Sequence, residues 1–362
     1  MTTPPSPGQW PAPPPGPPPL GPPPAGQLKS GAAKWILGGL AILVVVVVSV
    51  VATLLVTRDG EESAGPSPTP GTTGPTTNGS AIASSDDRRP AGIVLEDPTC
   101  VAWTPIAASF ANAAENGWGD RDPAIAENKW TSDQRAQYEA VGAALRSSAD
   151  RTVELAIETP NRVMNELYSQ FIAYARAYAN ALPSYVEADD HLIRVAIGAS
   201  SALSAICSAI DYGSAGARSP LVAAAAPTPG QFDQFDPEQP ARLLESGNPI
   251  CGDWLAAINR FDDAIAAWKV LDPNVPANEM SLDQRAVLTS VKPTMVSFAS
   301  QAQQLGRQSD IRALSDLATL AAQYLRAYAS ALTTYTPADN YLQLAASASA
   351  GVITEACRAA GA

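Results

Sequence analysis

An internal repeat governs what this chain can fold into. Cys100-Val-Ala-Trp103 returns as Cys251-Gly-Asp-Trp254, Phe110 as Phe261, Asp133-Gln134-Arg135 as Asp283-Gln284-Arg285, and Cys207 as Cys357. The offset is 151 residues at the start and 150 afterwards. The clearest block sets Tyr174–Tyr185 against Tyr324–Tyr335, identical at eight of twelve positions without a gap. Self-similarity at one fixed offset is a duplication, so one fold must serve both copies.

Within each copy apolar residues recur at helical rather than strand spacing. Helices are expected near 99–115, 132–158, 160–182 and 186–210, and again near 250–269, 281–305, 310–333 and 337–358. Thr159-Pro160 and Thr336-Pro337 each place a capping hydroxyl before a proline at the first helical position, where its missing N–H costs nothing. Ser132 and Ser281, or their neighbours, are expected to start the second helix of each copy. Four helices with short joins suggest an up-down-up-down bundle. In such a bundle the start of the first helix and the end of the fourth lie at the same end, which is where the cysteines fall. Of the three connectivities open to four cysteines, only Cys100–Cys207 with Cys251–Cys357 respects the repeat. Closing a loop of about 100 residues stabilises by roughly 4–5 kcal/mol in the chain-entropy model.

The rest of the chain divides by composition. Thirteen of the 33 prolines precede residue 27, so residues 1–34 read as a disordered, proline-rich tail favouring polyproline II. Trp35 to Thr57 is 23 residues without a charge, about 34 Å as a helix and enough to cross a bilayer. Lys29 and Lys34 before this span, against Arg58 among Asp59, Glu61 and Glu62 after it, put the N-terminus in the cytoplasm. All four cysteines lie on the far side, an even count that suits an oxidising compartment. Residues 58–96 read as a flexible extracytoplasmic stalk, 97–211 as the first bundle, 212–247 as a linker and 248–362 as the second bundle. The fold class expected is therefore all-α, one transmembrane helix followed by two tandem disulfide-closed bundles. From residue 91 onward there are 18 basic and 30 acidic side chains, which accounts for the whole net charge of −12. Nucleic acid is a poor partner for such a surface.

The candidate binding residues lie in the best-kept block. Tyr174 and Tyr178 step by four along the third helix with Arg176 between them, and Tyr324, Arg326 and Tyr328 copy them. A tyrosine ridge can line a pocket for an apolar ligand, or simply fill space between alanine-rich helices with its hydroxyls at the rim. Metal binding is not expected: His191 is the single histidine, its duplicate is Tyr341, and Asp189-Asp190-His191 reads as a helix start. Nor is catalysis, since no serine elbow, free cysteine, phosphate-cradling glycine loop or repeated histidine is present. Glu154 and Glu158 are i, i+4 neighbours of the kind that solvate a helix face, and no cofactor is implied.

The proline-rich tail, the span, the stalk and the alanine-rich outer part, with only three lysines after residue 90, resemble single-pass cell-envelope proteins of actinobacteria, mycobacteria in particular. That resemblance covers mainly residues 1–90 and carries no functional residues over. Rigid, closed bundles, no catalytic constellation and a flexible tether together point to a non-enzymatic protein of the cell membrane, anchored through residues 35–57, whose bundles bind another envelope protein or a cell-wall component. The alternative is a small-ligand or lipid binding protein with a tyrosine-lined pocket in one or both bundles. A continuous apolar cavity would favour the second.

Overall fold

The computed structural model of the chain describes residues 89–115, 117–228 and 236–362. The expected tail, the expected span and the stalk as far as residue 88 lie outside the described residues. Among the described residues the fold is all-α. The first copy supplies α1 (Cys100–Ala113), α2 (Ser132–Glu158), α3 (Arg162–Ala181) and α4 (Asp190–Asp211), and a short α5 (Ser214–Arg218) opens the connection. The second copy supplies α6 (Cys251–Ala264), α7 (Ala266–Lys269), α8 (Leu282–Gln308), α9 (Arg312–Ala331) and α10 (Asn340–Ala359). Glu187–Asp211, which is long and apolar enough to span a bilayer by length and composition, is here a buried core helix.

Local sequence sets the helix ends. Thr131 caps α2 and Ser281 caps α8 by the same device: the hydroxyl accepts from the N–H of Gln134 or Gln284, and that glutamine reaches back to the capping residue's N–H. The middle residue of the repeated Asp-Gln-Arg triplet thus has a structural duty in both copies. Thr336 caps the turn Pro337–Asp339 ahead of α10. Thr159 departs from expectation. It closes α2, its hydroxyl donating to Asp97 Oδ2, while Asn161 caps α3 by accepting from the Val163 N–H. Asparagine is among the strongest capping residues, and it lies one position past the proline. The single helix expected over 250–269 is interrupted at Ile265 (φ −100°, ψ 10°), which separates α6 from the one-turn α7.

Both disulfides form within a copy: Cys100–Cys207 clasps α1 to α4 and Cys251–Cys357 clasps α6 to α10. In each copy the first helix packs on the second and fourth, the second on the third, and the third on the fourth. The most extensive contact of all, however, joins the copies, between α4 and α10. These two run antiparallel, since His191 meets Glu355, Gly198 meets Val352 and Tyr212 stacks on Tyr341. A Cβ at position 198 would stand 3.3 Å from Val352 Cγ2 and 3.4 Å from its backbone nitrogen, so the close approach favours glycine. The buried side chains of the two copies form one continuous core.

The segments that precede each copy's first helix are exchanged. In the first, Ala91 and Val94 are buried and the Val94 N–H donates to Tyr324 Oη on α9, at 3.1 Å. In the second, Leu243 and Leu244 are buried and the Leu244 N–H donates to Tyr174 Oη on α3, at 3.3 Å. Val94 and Leu244 are 150 residues apart, as are Tyr174 and Tyr324, so this is one contact made twice across the repeat. Gln170 and Arg176 extend the second contact by donating to the carbonyls of Ala241 and Pro237. Replacing Tyr324 with Phe should leave the Val94 N–H buried without an acceptor and cost about 1–3 kcal/mol. Guanidinium denaturation reads this directly, and a midpoint equal to wild type would show that the segment is not held there.

Candidate functional site

The six residues expected to form a ligand face have separate duties. Tyr174 and Tyr324 hold the exchanged segments. Arg176 pairs with Asp150 at 2.8 Å and Arg326 donates to Gln303 Oε1 at 2.9 Å, both on the outside of the third helix of their copy. Tyr178 is buried in the first copy beside Trp118 and Tyr185. Tyr328 accepts from Trp268 Nε1 at 3.1 Å, and of the six it alone borders a cavity. Burial raises the phenols of all four tyrosines, that of Tyr174 to about 12.

That cavity has a volume of about 500 Å³ and lies in the second copy, between α6, α8, α9 and α10, reaching α4 past the small side chains of α10. Its wall is made by Ile258 and Phe261 from α6, Ile265 at the break, Trp268 from α7, Leu288, Met295 and Phe298 from α8, and Ala321, Ala322, Leu325 and Tyr328 from α9. Position-by-position comparison of the copies explains it. At an offset of 150 the first copy has Phe171 and Ile172 where the second has Ala321 and Ala322, and Tyr138 where the second has Leu288. Likewise Trp130 stands for Met280, Arg121 for Leu271 and Asp190 for Asn340.

The larger groups fill the first copy. Trp130 stacks on Tyr138 with ring centroids 4.0 Å apart, and Trp118 meets Tyr138 edge-on at 5.0 Å. The Arg121 guanidinium lies 3.8 Å over the Trp118 ring and pairs with buried Asp190, which also accepts from Arg194. Phe171 and Ile172 are 1% and 0% exposed. The second copy keeps Trp268, Tyr328 and Tyr335 and the helical frame but lacks the counterparts of Trp130, Tyr138, Phe171 and the Arg121–Asp190 pair. Sequence reasoning missed the site because it looked for what the copies share; the signal was where they differ.

Two other clusters sit between the copies. At one, Arg162 and Glu166 on α3 meet their duplicates Arg312 and Asp316 on α9, with Arg162 Nε 2.9 Å from Asp316 Oδ2 and Thr228 donating to the same carboxylate. All four charged residues have side chains at most 7% exposed. Burial, and next the Asp316 carboxylate, push the Glu166 carboxyl well above its ordinary 4.5, against the pull of Arg162. At the other, His191 Nδ1 lies 2.7 Å from Glu355 Oε2, and Arg358 donates to the second oxygen. Burial opposes the charge on Glu355, yet the His191 hydrogen bond and Arg358 hold its carboxyl low. Asp189 accepts from the Val186 N–H. Among the described residues no group of three or more His, Cys, Asp or Glu is placed to hold a metal ion.

The fold and cavity define a class: a duplicated, disulfide-clasped helical protein in which one copy is filled by its own side chains and the other carries a partly open apolar cavity. The chain belongs to the family described as mycobacterial ESX-1 associated protein, whose pattern matches residues 82–361. An uncharacterized protein of Mycolicibacterium smegmatis (strain MKD8) is 43% identical over 330 residues, covering 91% of this chain and 87% of that relative. No solved structure matches the chain. The mycobacterial resemblance seen in the sequence is thus met by a family whose matched region takes in both copies.

Two expected outcomes follow from the geometry. Ile172→Ala in the filled copy should cost about 2–5 kcal/mol, whereas Ala322→Ile at the duplicate position should be accommodated by the cavity and leave thermal unfolding unchanged or raised. Equal losses in both variants would mean that the second copy is as tightly filled as the first. For Glu166, a raised folded pKa means that above pH 4.5 the folded chain keeps a proton that the unfolded chain has released, so stability falls as pH rises through that interval. Denaturation midpoints of Glu166→Gln should fall less steeply than wild type as pH rises above 4.5; parallel profiles would refute the assignment.

Proposed function

We propose that this chain is a non-enzymatic, membrane-anchored envelope protein that acts in association with ESX-1 and binds an apolar ligand in the cavity of its second copy. In this reading residues 35–57 cross the membrane with residues 1–34 in the cytoplasm. The folded part lies outside as two tandem up-down four-helix bundles. The single observation that carries it is the divergence of the copies. Where the first copy has Phe171, Ile172 and Tyr138, the second has Ala321, Ala322 and Leu288 around a cavity of about 500 Å³. That volume is within the roughly 300–1,000 Å³ typical of small-molecule sites. The two disulfides support an oxidising compartment for the folded part.

The test is photolabelling of the full chain in phosphatidylcholine vesicles with a compact apolar probe, a naphthalene bearing a diazirine. Labelled peptides should map to α6, α8 and α9, and Ala321→Phe with Ala322→Ile, which restores the first copy's side chains, should reduce the label at least tenfold. Label spread evenly over the surface would sink the reading. A second reading, in which the bundles bind an envelope protein or cell-wall component, is favoured by the word "associated" in the family's description. Crosslinking of the chain in its own membranes would support it by returning the same conjugate repeatedly, and would remove it by returning none.

A further inference from the structure

Resting on the cavity reading just given, we propose that the ligand is a single unbranched hydrocarbon chain ending in a carboxylate, bound with its head beside Arg194 and Ser201 and its tail toward Met280. The first argument is shape. Along α10 the lining runs from Asn340 to Glu355, fifteen residue steps or roughly 22 Å of helix. An extended hydrocarbon chain can lie along that length.

The second argument is chemical. Apart from Ser201, polar side chains of the wall are engaged: Trp268 Nε1 donates to Tyr328 Oη, Tyr335 Oη donates to the Pro273 carbonyl, and Thr354 Oγ1 accepts from Trp254 Nε1. A sugar, peptide or heterocycle lying there would bury polar groups with no partner, at about 1–3 kcal/mol each. A methylene chain buries none. Met280 and Met295 add a wall that adapts to a flexible chain.

The third argument places the head. Ser201, 5% exposed and bordering the cavity from α4, has a hydroxyl with no hydrogen-bond partner. About two turns away on α4, Arg194 donates from Nε to Asp190 at 2.6 Å, which leaves its terminal nitrogens for an incoming acceptor. Around this end lie three guanidinium groups, Arg121, Arg194 and Arg358, and the carboxylates of Asp189, Asp190 and Glu355, with His191 joined to Glu355; of the guanidinium groups Arg194 borders the cavity. At the opposite end Lys269 is paired with Asp262 and Asp272 stands beside them in the lining, an excess of negative charge that repels an anionic head.

The experiment photolabels the full chain in phosphatidylcholine vesicles with palmitic acid carrying a diazirine at its terminal carbon, beside the naphthalene probe. Label on the peptides of Met280 and Leu288 is the expected result, falling at least tenfold in Arg194→Gln and several-fold in Ser201→Ala, with the methyl ester labelling more weakly than the acid. Peptide mapping of wild type alone decides the orientation even where a variant folds poorly. Label at the Arg194 end would overturn the head assignment. If naphthalene labels the cavity and palmitic acid does not, the chain-shaped ligand is wrong and the cavity reading stands. If neither probe labels it, both fail.

Discussion

The antiparallel contact of α4 with α10 is the constraint on which the rest of the structure depends. It is possible because small residues line it, Gly198 against Val352 at its closest point, and because burying both helices removes two strongly apolar faces from water at once. Once these helices are joined, the third helices of the two copies are brought close enough for Arg162 to reach Asp316. The segments before α1 and α6 then find their tyrosines on the opposite copy. The two disulfides reinforce the same arrangement from within, each fastening a first helix to α4 or α10. The copies therefore hold each other in place and share one core.

Duplication gave the chain a frame it did not need twice. In the first copy the space among the helices is closed by aromatic stacking around Tyr138 and by Arg121 held between Trp118 and Asp190. In the second, smaller side chains at four positions, 280, 288, 321 and 322, leave that space open. The surrounding hydrogen bonds repeat: Tyr185 and Tyr335 both donate to the carbonyl of a proline, Pro123 and Pro273. A filled twin can carry stability while its partner carries a cavity, which resolves the usual conflict between a well-packed core and a binding site.

How much of this was legible in the sequence depends on the range of the interaction. Helix extents came out within a few residues because they are written locally, in apolar spacing and in caps such as Ser281 with Gln284. The disulfide pairing followed from the repeat and the cysteine positions. The duties of Tyr174 and Tyr324 did not, because their partners lie in stretches around Val94 and Leu244 that have no periodicity and acquire meaning only when the copies dock. The Arg162/Glu166 and Arg312/Asp316 pairs were visible at i, i+4 spacing in both copies, but nothing local distinguishes a buried ionic cluster from a solvated helix face. The cavity was written in the differences at 171/321 and 172/322, small against the background of identity that made the repeat recognisable.

Exchange of the leading segments also orders events during synthesis. Val94 meets its acceptor on Tyr324, 230 residues later in the chain, and Tyr174 must await Leu244, 70 residues on. The first copy can gather its helices as it emerges, but the segment ahead of it has nowhere to settle until α9 exists. Closure of the second clasp likewise waits for Cys357. The second copy thus supplies the seat for the segment that precedes the first.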